Sequence, residues 1–361
     1  MNGYLVLEND ESFQGVWKGA VPETPIEGEV VFFTGMTGYQ EVLTDPSFKG
    51  QIVVLTYPLI GNYGINDFDF ESSEPQVTAV VICECSEQGY HYESKKTFSQ
   101  YLQKWNIPVL SGVDTRAVVK RIREQGVMGG LLVKDIADVQ FEHYQTIEEK
   151  NLIPQVSVTK AQTFGEGHFH VVLMDFGYKK SIVDSLVSVG CKVTIVPYNT
   201  TFQEVCQLNP DGVMFSNGPG DPKQMSFHLS EIKKMAQHYP TLAICLGHQL
   251  LSLAFGGETE KLKFGHRGSN QPVIDIDSRK VFMTSQNHTF VVQENSLENT
   301  NFTVRYRNVN DGSVEGMNHA KYPITSVQFH PEAHPGPVDS VSLFHEFVTS
   351  MQSVRREEVY A

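Results

Sequence analysis

Cysteine is scarce in this 361-residue chain, which has five, at positions 83, 85, 191, 206 and 245. The count is odd, no two form a CxxC pair, and no histidine spacing matches a zinc site, so neither a disulfide framework nor a metal cage is supported. Long apolar runs are missing too: none approaches the roughly 18 residues that cross a bilayer. The N-terminus lacks the basic start and apolar stretch of a secretory signal, carrying Glu8, Asp10, Glu11, Glu23, Glu27 and Glu29 instead. A cytoplasmic protein without membrane insertion is expected. Basic charge is in deficit, with 28 Lys and Arg against 42 Asp and Glu and a net charge of -14. That balance opposes nucleic-acid binding through phosphate neutralisation. The one basic stretch, Lys120-Arg121-Ile122-Arg123, is broken by Ile122 and followed by Glu124, and reads as the solvated face of a helix. A Walker loop, a GxGxxG fingerprint and internal repeats are also absent, so an autonomous nucleotide site is not indicated.

What is present fits two domains of ordinary size. The first half opens with short strand-like runs at Tyr4 to Leu7, Glu29 to Phe33 and Gln51 to Thr56, punctuated by Gly and Pro. Apolar spacing predicts helices over Lys96 to Trp105 and Thr115 to Gln125, the second entered from Asp114 as N-cap. Residues 1–150 therefore read as a mixed α/β domain. Between Val139 and His168 the pattern decays into polar residues, which places a linker over 151–168. From residue 169 to 361 strands and helices alternate. Strands are predicted at Val171 to Met174, Lys192 to Val196 and Gly212 to Phe215, with helices at Lys180 to Val189 and Phe202 to Leu208. The expected fold class is α/β, with a doubly wound, mostly parallel sheet in this second domain.

The chemistry gathers at three places. The strand Thr241 to Ile244 runs into Cys245-Leu246-Gly247-His248-Gln249, and a helical stretch is predicted from Leu250 to Phe255. A strand, sharp turn and helix would push the Cys245 side chain out at the carboxyl end of the sheet, beside the positive end of a helix. An isolated cysteine is most often a small buried hydrophobe; the context makes Cys245 a nucleophile. The second place is the strand Ile324 to Phe329, which ends in His330-Pro331-Glu332. Residues two apart on a strand share a face, so His330 can act as base for Cys245 while Glu332 orients its imidazole. At the third, Ser216-Asn217-Gly218-Pro219-Gly220-Asp221-Pro222 follows a predicted sheet strand. One of its amides, with that of Leu246, could form an oxyanion hole.

These motifs, Asn217 to Pro222, Cys245 to Gln249 and His330 to Glu332, resemble those of the class I, or triad, glutamine amidotransferases. Lys263 to Gly268, Gln286 to His288, Met36 to Glu41, Leu43 to Ser47, Thr56 to Pro58, Gly61 to Gly64 and Gly112 to Arg116 narrow the likeness to the carbamoyl-phosphate synthase small-chain family. The resemblance implies that Cys245 attacks the glutamine carboxamide, that His330 shuttles protons and that Glu332 supports it. It implies glutamine contacts from Gly35, Gly218, Gly220, Leu246, Gln249, Asn287, Thr289 and Phe290. It further implies a large synthetase subunit as partner, which holds ATP and magnesium and builds carbamoyl phosphate from bicarbonate and the delivered ammonia for arginine and pyrimidine synthesis; no cofactor or metal belongs to this chain. Ala243 and Thr289 stand where the family often has Gly, and Gly35 where it often has Ser, so contact at Gly35 must come from the backbone.

Other residues tempt without acting. Cys83 and Cys85 alternate along Val80 to Cys85 and read as part of a packed strand. His248 is expected to make a structural polar contact rather than serve as base, and His266 and His288 stay outside the site. Two other functions compete: an amidotransferase for a different acceptor, and a silent scaffold or regulatory subunit. A cysteine hydrolase acting on a peptide or γ-glutamyl substrate also remains open, because a triad sets chemistry more firmly than substrate.

Overall fold

The structure, a computed structural model, describes residues 1–142 and 144–360, with side chains as far as Arg355. The chain forms two compact units, one of Met1–Asn151 together with Lys263–Gly268, the other of Leu152–Leu262 together with the chain from Ser269 onward. Among the described residues no helix is long and apolar enough to cross a membrane.

Seven strands of the first unit close into a barrel: β1 (Asn2–Leu7), β2 (Ser12–Trp17), β3 (Ile26–Phe33), β4 (Gln51–Ile60), β5 (Ala79–Cys85), β6 (Val109–Ser111) and β7 (Met128–Val133), in the order β1-β2-β6-β5-β4-β3-β7. Closure leaves no unpaired edge. Alternation along each strand divides the apolar residues into two cores. Val30 and Phe32 of β3 pack with Leu5, Ile52 and Val54, whereas Val31 and Phe33 pack with Val53, Leu55 and the helices α1 (Tyr39–Thr44) and α2 (Phe98–Lys104). The helix α3 (Thr115–Gln125) starts where Asp114 accepts the Ala117 N–H at 2.9 Å, and sends Val118 and Ile122 into the first of these cores. Its outer face is solvated, with Arg121 paired to Glu11 and Glu124. Cys83 is exposed near the end of β5, where a packed position was expected, because it lies on the outward face as the strand leaves the core.

The second unit begins with α4 (Ile153–Val156) and β8 (Gln162–Phe164), which pairs antiparallel to residues 193–195, so structure occupies much of the stretch 151–168. There follow β9 (Phe169–Asp175), α5 (Lys180–Ser188), β10 (Cys191–Pro197), α6 (Phe202–Leu208), β11 (Gly212–Phe215), α7 (Leu229–His238), β12 (Thr241–Ile244) and α8 (Leu246–Ala254). Then come β13 (Thr259–Asp275), whose residues 263–268 belong to the first unit, β14 (Val281–Val292), β15 (Phe302–Asn308), β16 (Val314–His319), β17 (Ile324–Val327) and α9 (Ser342–Tyr360). The sheet order is β14-β13-β15-β16-β17-β12-β11-β9-β10-β8. Its parallel part, β17-β12-β11-β9-β10, is the expected doubly wound core. An antiparallel flank, β13 to β16, extends it; the polar text of β13 and β14 gave no strand period to read.

Both faces of the parallel core are covered. Val172, Met174, Phe215 and Ala243 pack under α7 and α8 through Ile232, Met235, Leu250 and Leu251. Val171, Leu173, Met214, Leu242 and Ile244 pack under α5 and α9 through Ile182, Leu186, Phe344 and Phe347. Parallel strands buried on both sides read as unbroken apolar runs, as these do. Phe344→Ala empties a fully buried site and is expected to cost roughly 3–5 kcal/mol. Thr201→Ala, which removes the capping box of α6, is expected to cost about 1 kcal/mol. Urea unfolding of both variants against wild type checks the contrast.

Candidate active site

The carboxyl ends of β9, β11, β12 and β17 bring the functional side chains of the second unit together. Cys245 follows β12 directly and takes φ 53° and ψ −105°, a conformation that L residues avoid. Two backbone bonds hold the turn: the Cys245 N–H donates to Val327 O at 2.8 Å, and the Gly247 N–H donates to Ser216 O at 3.0 Å. A Cβ on Gly247 would lie 2.4 Å from the Phe215 carbonyl oxygen, so only glycine lets the helix approach β11 this closely. One residue completes the reversal, and α8 therefore starts at Leu246, four residues earlier than the sequence reading placed it. The Leu246 N–H, at the first helical position, has no intrahelical partner.

Across from the elbow, the 216–222 loop packs under α8. A Cβ on Gly218 would meet Phe176 O at 2.2 Å and Leu246 Cδ2 at 2.9 Å, which places this loop's backbone beside that of Leu246. Gly220 takes φ +90° with open space around it. Ser216 Oγ accepts the Phe176 N–H and donates to Asn217 O, and Asn217 Oδ1 accepts the Lys179 N–H. The buried Asp175 carboxylate accepts the N–H groups of Val158, Gly177 and Tyr178. Together these bonds fix the turn between β9 and α5 against the loop.

The strand β14 supplies the remaining wall. Cys245 Sγ lies 3.6 Å from Asn287 O, and Gln249 Nε2 donates to Phe290 O at 2.7 Å. His288 bonds Phe290 O and Gln286 Oε1 through its two ring nitrogens, which stiffens the strand around Asn287. Thr289 is buried. Gly35 belongs to the first unit, in the connection between β3 and α1, as does His266 farther along the chain.

His330, Glu332 and Cys245 each expose 2% of their surface. His330 Nδ1 donates to Glu332 Oε1 at 2.6 Å, which leaves Nε2 for the thiol. Burial alone would depress the His330 imidazolium; the Glu332 carboxylate and the Cys245 side chain outweigh it and raise its pKa to about 10. Burial would likewise raise Glu332, but the charges of Lys179 and His330 hold it down at about 2. The pair is thus an imidazolium and a carboxylate. His248 is of the other kind: fully buried, with Nδ1 2.9 Å from Ser326 Oγ, it is driven by burial down to about 3 and stays neutral.

Two site residues escaped the sequence reading. Lys179 is buried, and its Nζ donates to Glu332 Oε1 at 3.0 Å and to Ala333 O at 2.6 Å. The signal was there: Lys179 is the N-cap of α5 and makes no side-chain cap, at a position where Ser, Thr, Asp or Asn is preferred and a cation opposes the helix dipole. The other is Gln328, fully buried, whose Nε2 lies 3.6 Å from Cys245 Sγ. Period-two spacing puts Ser326, Gln328 and His330 on one face of the extended run that begins with β17.

Comparison with known proteins adds two family matches. Residues 172–350 match the class I glutamine amidotransferase model, and residues 5–132 match the CPSase domain of the carbamoyl-phosphate synthase small chain. Two arginine-specific carbamoyl phosphate synthase small chains are similar over the whole of both chains, one from Halalkalibacterium halodurans at 55% identity and one from Bacillus subtilis at 54%. A carbamoyl phosphate synthase small chain from Caldanaerobacter subterraneus is 44% identical over all of this chain and 99% of its own.

The buried charges make stability depend on pH in a defined way. His330 is raised from 6.5, so its contribution is complete below that pH and fades as pH rises toward about 10. Glu332 is lowered from 4.5, so its contribution is complete above that pH and fades as pH falls toward about 2. Glu332→Gln breaks the pair and leaves Lys179 charged and buried, at an expected cost on the order of 3 kcal/mol. In urea unfolding across pH, the advantage of wild type should shrink as pH rises from 6.5 toward 10 and as it falls from 4.5 toward 2. A difference that keeps growing through alkaline pH would contradict the assigned charges.

Proposed function

The chain belongs to the family of carbamoyl-phosphate synthase small chains, and we propose that its Cys245, His330 and Glu332 hydrolyse glutamine and deliver the ammonia to a large synthetase subunit. The observation that carries this reading is the strained elbow: a cysteine at φ 53°, between a sheet strand and a helix, beside a histidine bonded to a buried carboxylate. Strain of this kind costs about 1–3 kcal/mol and persists where the surroundings enforce it.

Glutamine binds with its α-ammonium at Gln249. Both amide hydrogens of that side chain are committed, to Phe290 O and to Gln328 Oε1, so Oε1 is the atom left to accept. Gly218, Gly220, Asn287, Thr289 and Phe290 offer backbone groups around the substrate, with Gly35 added on the strength of the family likeness. The Cys245 thiolate, whose proton rests on His330, attacks the carboxamide carbon. The negative charge that develops on the carboxamide oxygen is met by the N–H of Leu246 and an N–H of the 216–222 loop. As the C–N bond breaks, the His330 imidazolium passes its proton to the nitrogen and ammonia departs, leaving a γ-glutamyl thioester. Water then gives a proton to His330 and adds to the thioester carbon; the thiolate leaves, and glutamate is released. Lys179 keeps Glu332 ionised throughout, so that Glu332 orients His330 and accepts no proton itself.

The large subunit uses the ammonia with bicarbonate and ATP, and magnesium and nucleotide belong to it. Relatives at 53–55% identity carry arginine-specific in their names and those at 44% do not, which supports a place in arginine synthesis. With only 2% of Cys245 exposed, hydrolysis by the isolated chain should be slow and should quicken with the partner. In the assembled enzyme, Cys245→Ser is expected to abolish carbamoyl phosphate formation from glutamine while sparing formation from free ammonia. Retained glutamine-dependent synthesis would overturn the nucleophile assignment.

A further inference from the structure

Gln328 takes no step in the mechanism above, yet it is fully buried and its Nε2 lies 3.6 Å from the nucleophilic sulfur. The orientation of its amide follows from a chain of donors that begins at a group able only to accept. The Phe290 carbonyl accepts one hydrogen of Gln249 Nε2 at 2.7 Å, and Gln328 Oε1 accepts the other at 3.0 Å. Gln328 must then turn its NH2 toward Cys245. Reversed, it would set two NH2 groups against each other and point a carbonyl oxygen at the sulfur.

Besides the His330 imidazolium, the sulfur meets the Asn287 carbonyl and the Gln328 amide, and these two favour opposite protonation states. The Asn287 carbonyl, 3.6 Å away, can only accept, so it suits a thiol that donates its proton. The Gln328 amide donates, so it suits a thiolate. A hydrogen bond to an ionised acceptor is about twice as strong as one between neutral groups. We propose that Gln328 is a positioning residue for glutamine hydrolysis: an amide donor, aimed by the relay from Phe290 through Gln249, that joins the His330 imidazolium in holding the Cys245 sulfur as a thiolate and competes for it with Asn287 O. The proposal rests on Cys245 being the nucleophile. It also gives Gln249 a second duty, because the residue that meets the substrate is the one that orients the donor to the sulfur.

The test is the rate at which iodoacetamide alkylates Cys245 in the full chain across pH, read by mass spectrometry of the peptide that contains it so that exposed Cys83 does not intrude. Gln328→Glu keeps the shape and the acceptor for Gln249 but replaces the donor; Gln328→Met keeps the volume and carries no charge. Thermal unfolding identifies folded variants, and either one alone decides the matter. The alkylation profile of Gln328→Met is expected to move about one pH unit upward, with Gln328→Glu moving farther. With the large subunit present, kcat of Gln328→Glu for glutamine hydrolysis should fall roughly tenfold while KM stays within about twofold, because the acceptor for Gln249 is kept. Profiles that superimpose on wild type overturn the proposal, as does an equal slowing at every pH, which marks a merely structural residue. Alkylation of Cys245 in wild type that leaves glutamine hydrolysis intact would sink the nucleophile reading instead, which separates the two failures.

Discussion

The site hangs on a backbone reversal made by one residue. Cys245 goes from strand to helix in a single step because two hydrogen bonds, to Val327 O and Ser216 O, tie the elbow to the ends of neighbouring strands. A longer turn would place the thiol elsewhere and would lengthen the path from β12 to the N-terminus of α8. The short one sets Sγ, the Leu246 N–H and the loop at Gly218 around one point, and its strain is sustained by a sheet packed on both faces. The glycine at 247 is part of the same constraint, since any side chain there would run into the Phe215 carbonyl.

Charge is managed around that turn by the same economy of elements. The second unit buries a cation, an anion and an imidazolium within hydrogen-bonding reach of each other, a combination that is expensive unless every member is partnered. Lys179 reaches Glu332 and the Ala333 carbonyl, and Glu332 accepts from His330. The three come from the end of β9 and the segment after β17, which are separated in the chain and brought close by the parallel order of the sheet. His248, next to the nucleophile in sequence, is excluded from this group because α8 turns its ring toward Ser326 and burial keeps it neutral.

Much of the fold was legible because its signals are local. The cap at Asp114, the spacing of Val118 and Ile122, and the apolar runs of β9, β11 and β12 each declare an element within about ten residues. Elements whose reasons lie far away in the chain were not legible. The closure of β1 to β7 into a barrel depends on pairings such as β1 with β7, which no local period encodes. The strands β13 and β14 carry polar text because partners across the sheet, rather than their own alternation, make them strands. The start of α8 was misplaced because Gly247 and His248 read as turn residues, and the positive φ of Cys245 that permits an immediate helix is a tertiary outcome.

For the site the division is similar. The sequence by itself determined the residue types and spacings that carry the chemistry: a cysteine between a strand and a helix, a histidine and a glutamate two apart at a strand end, and a Gly/Pro loop after another strand. Those are properties of neighbours in the chain, and a short window contains them. Only the tertiary structure decided that Lys179 pins Glu332, that Gln328 addresses the sulfur and that Gln249 keeps a single free acceptor. The physical reason is that a buried polar group acquires its meaning from the partner that satisfies it, and here the partners lie from 41 to 153 residues away along the chain.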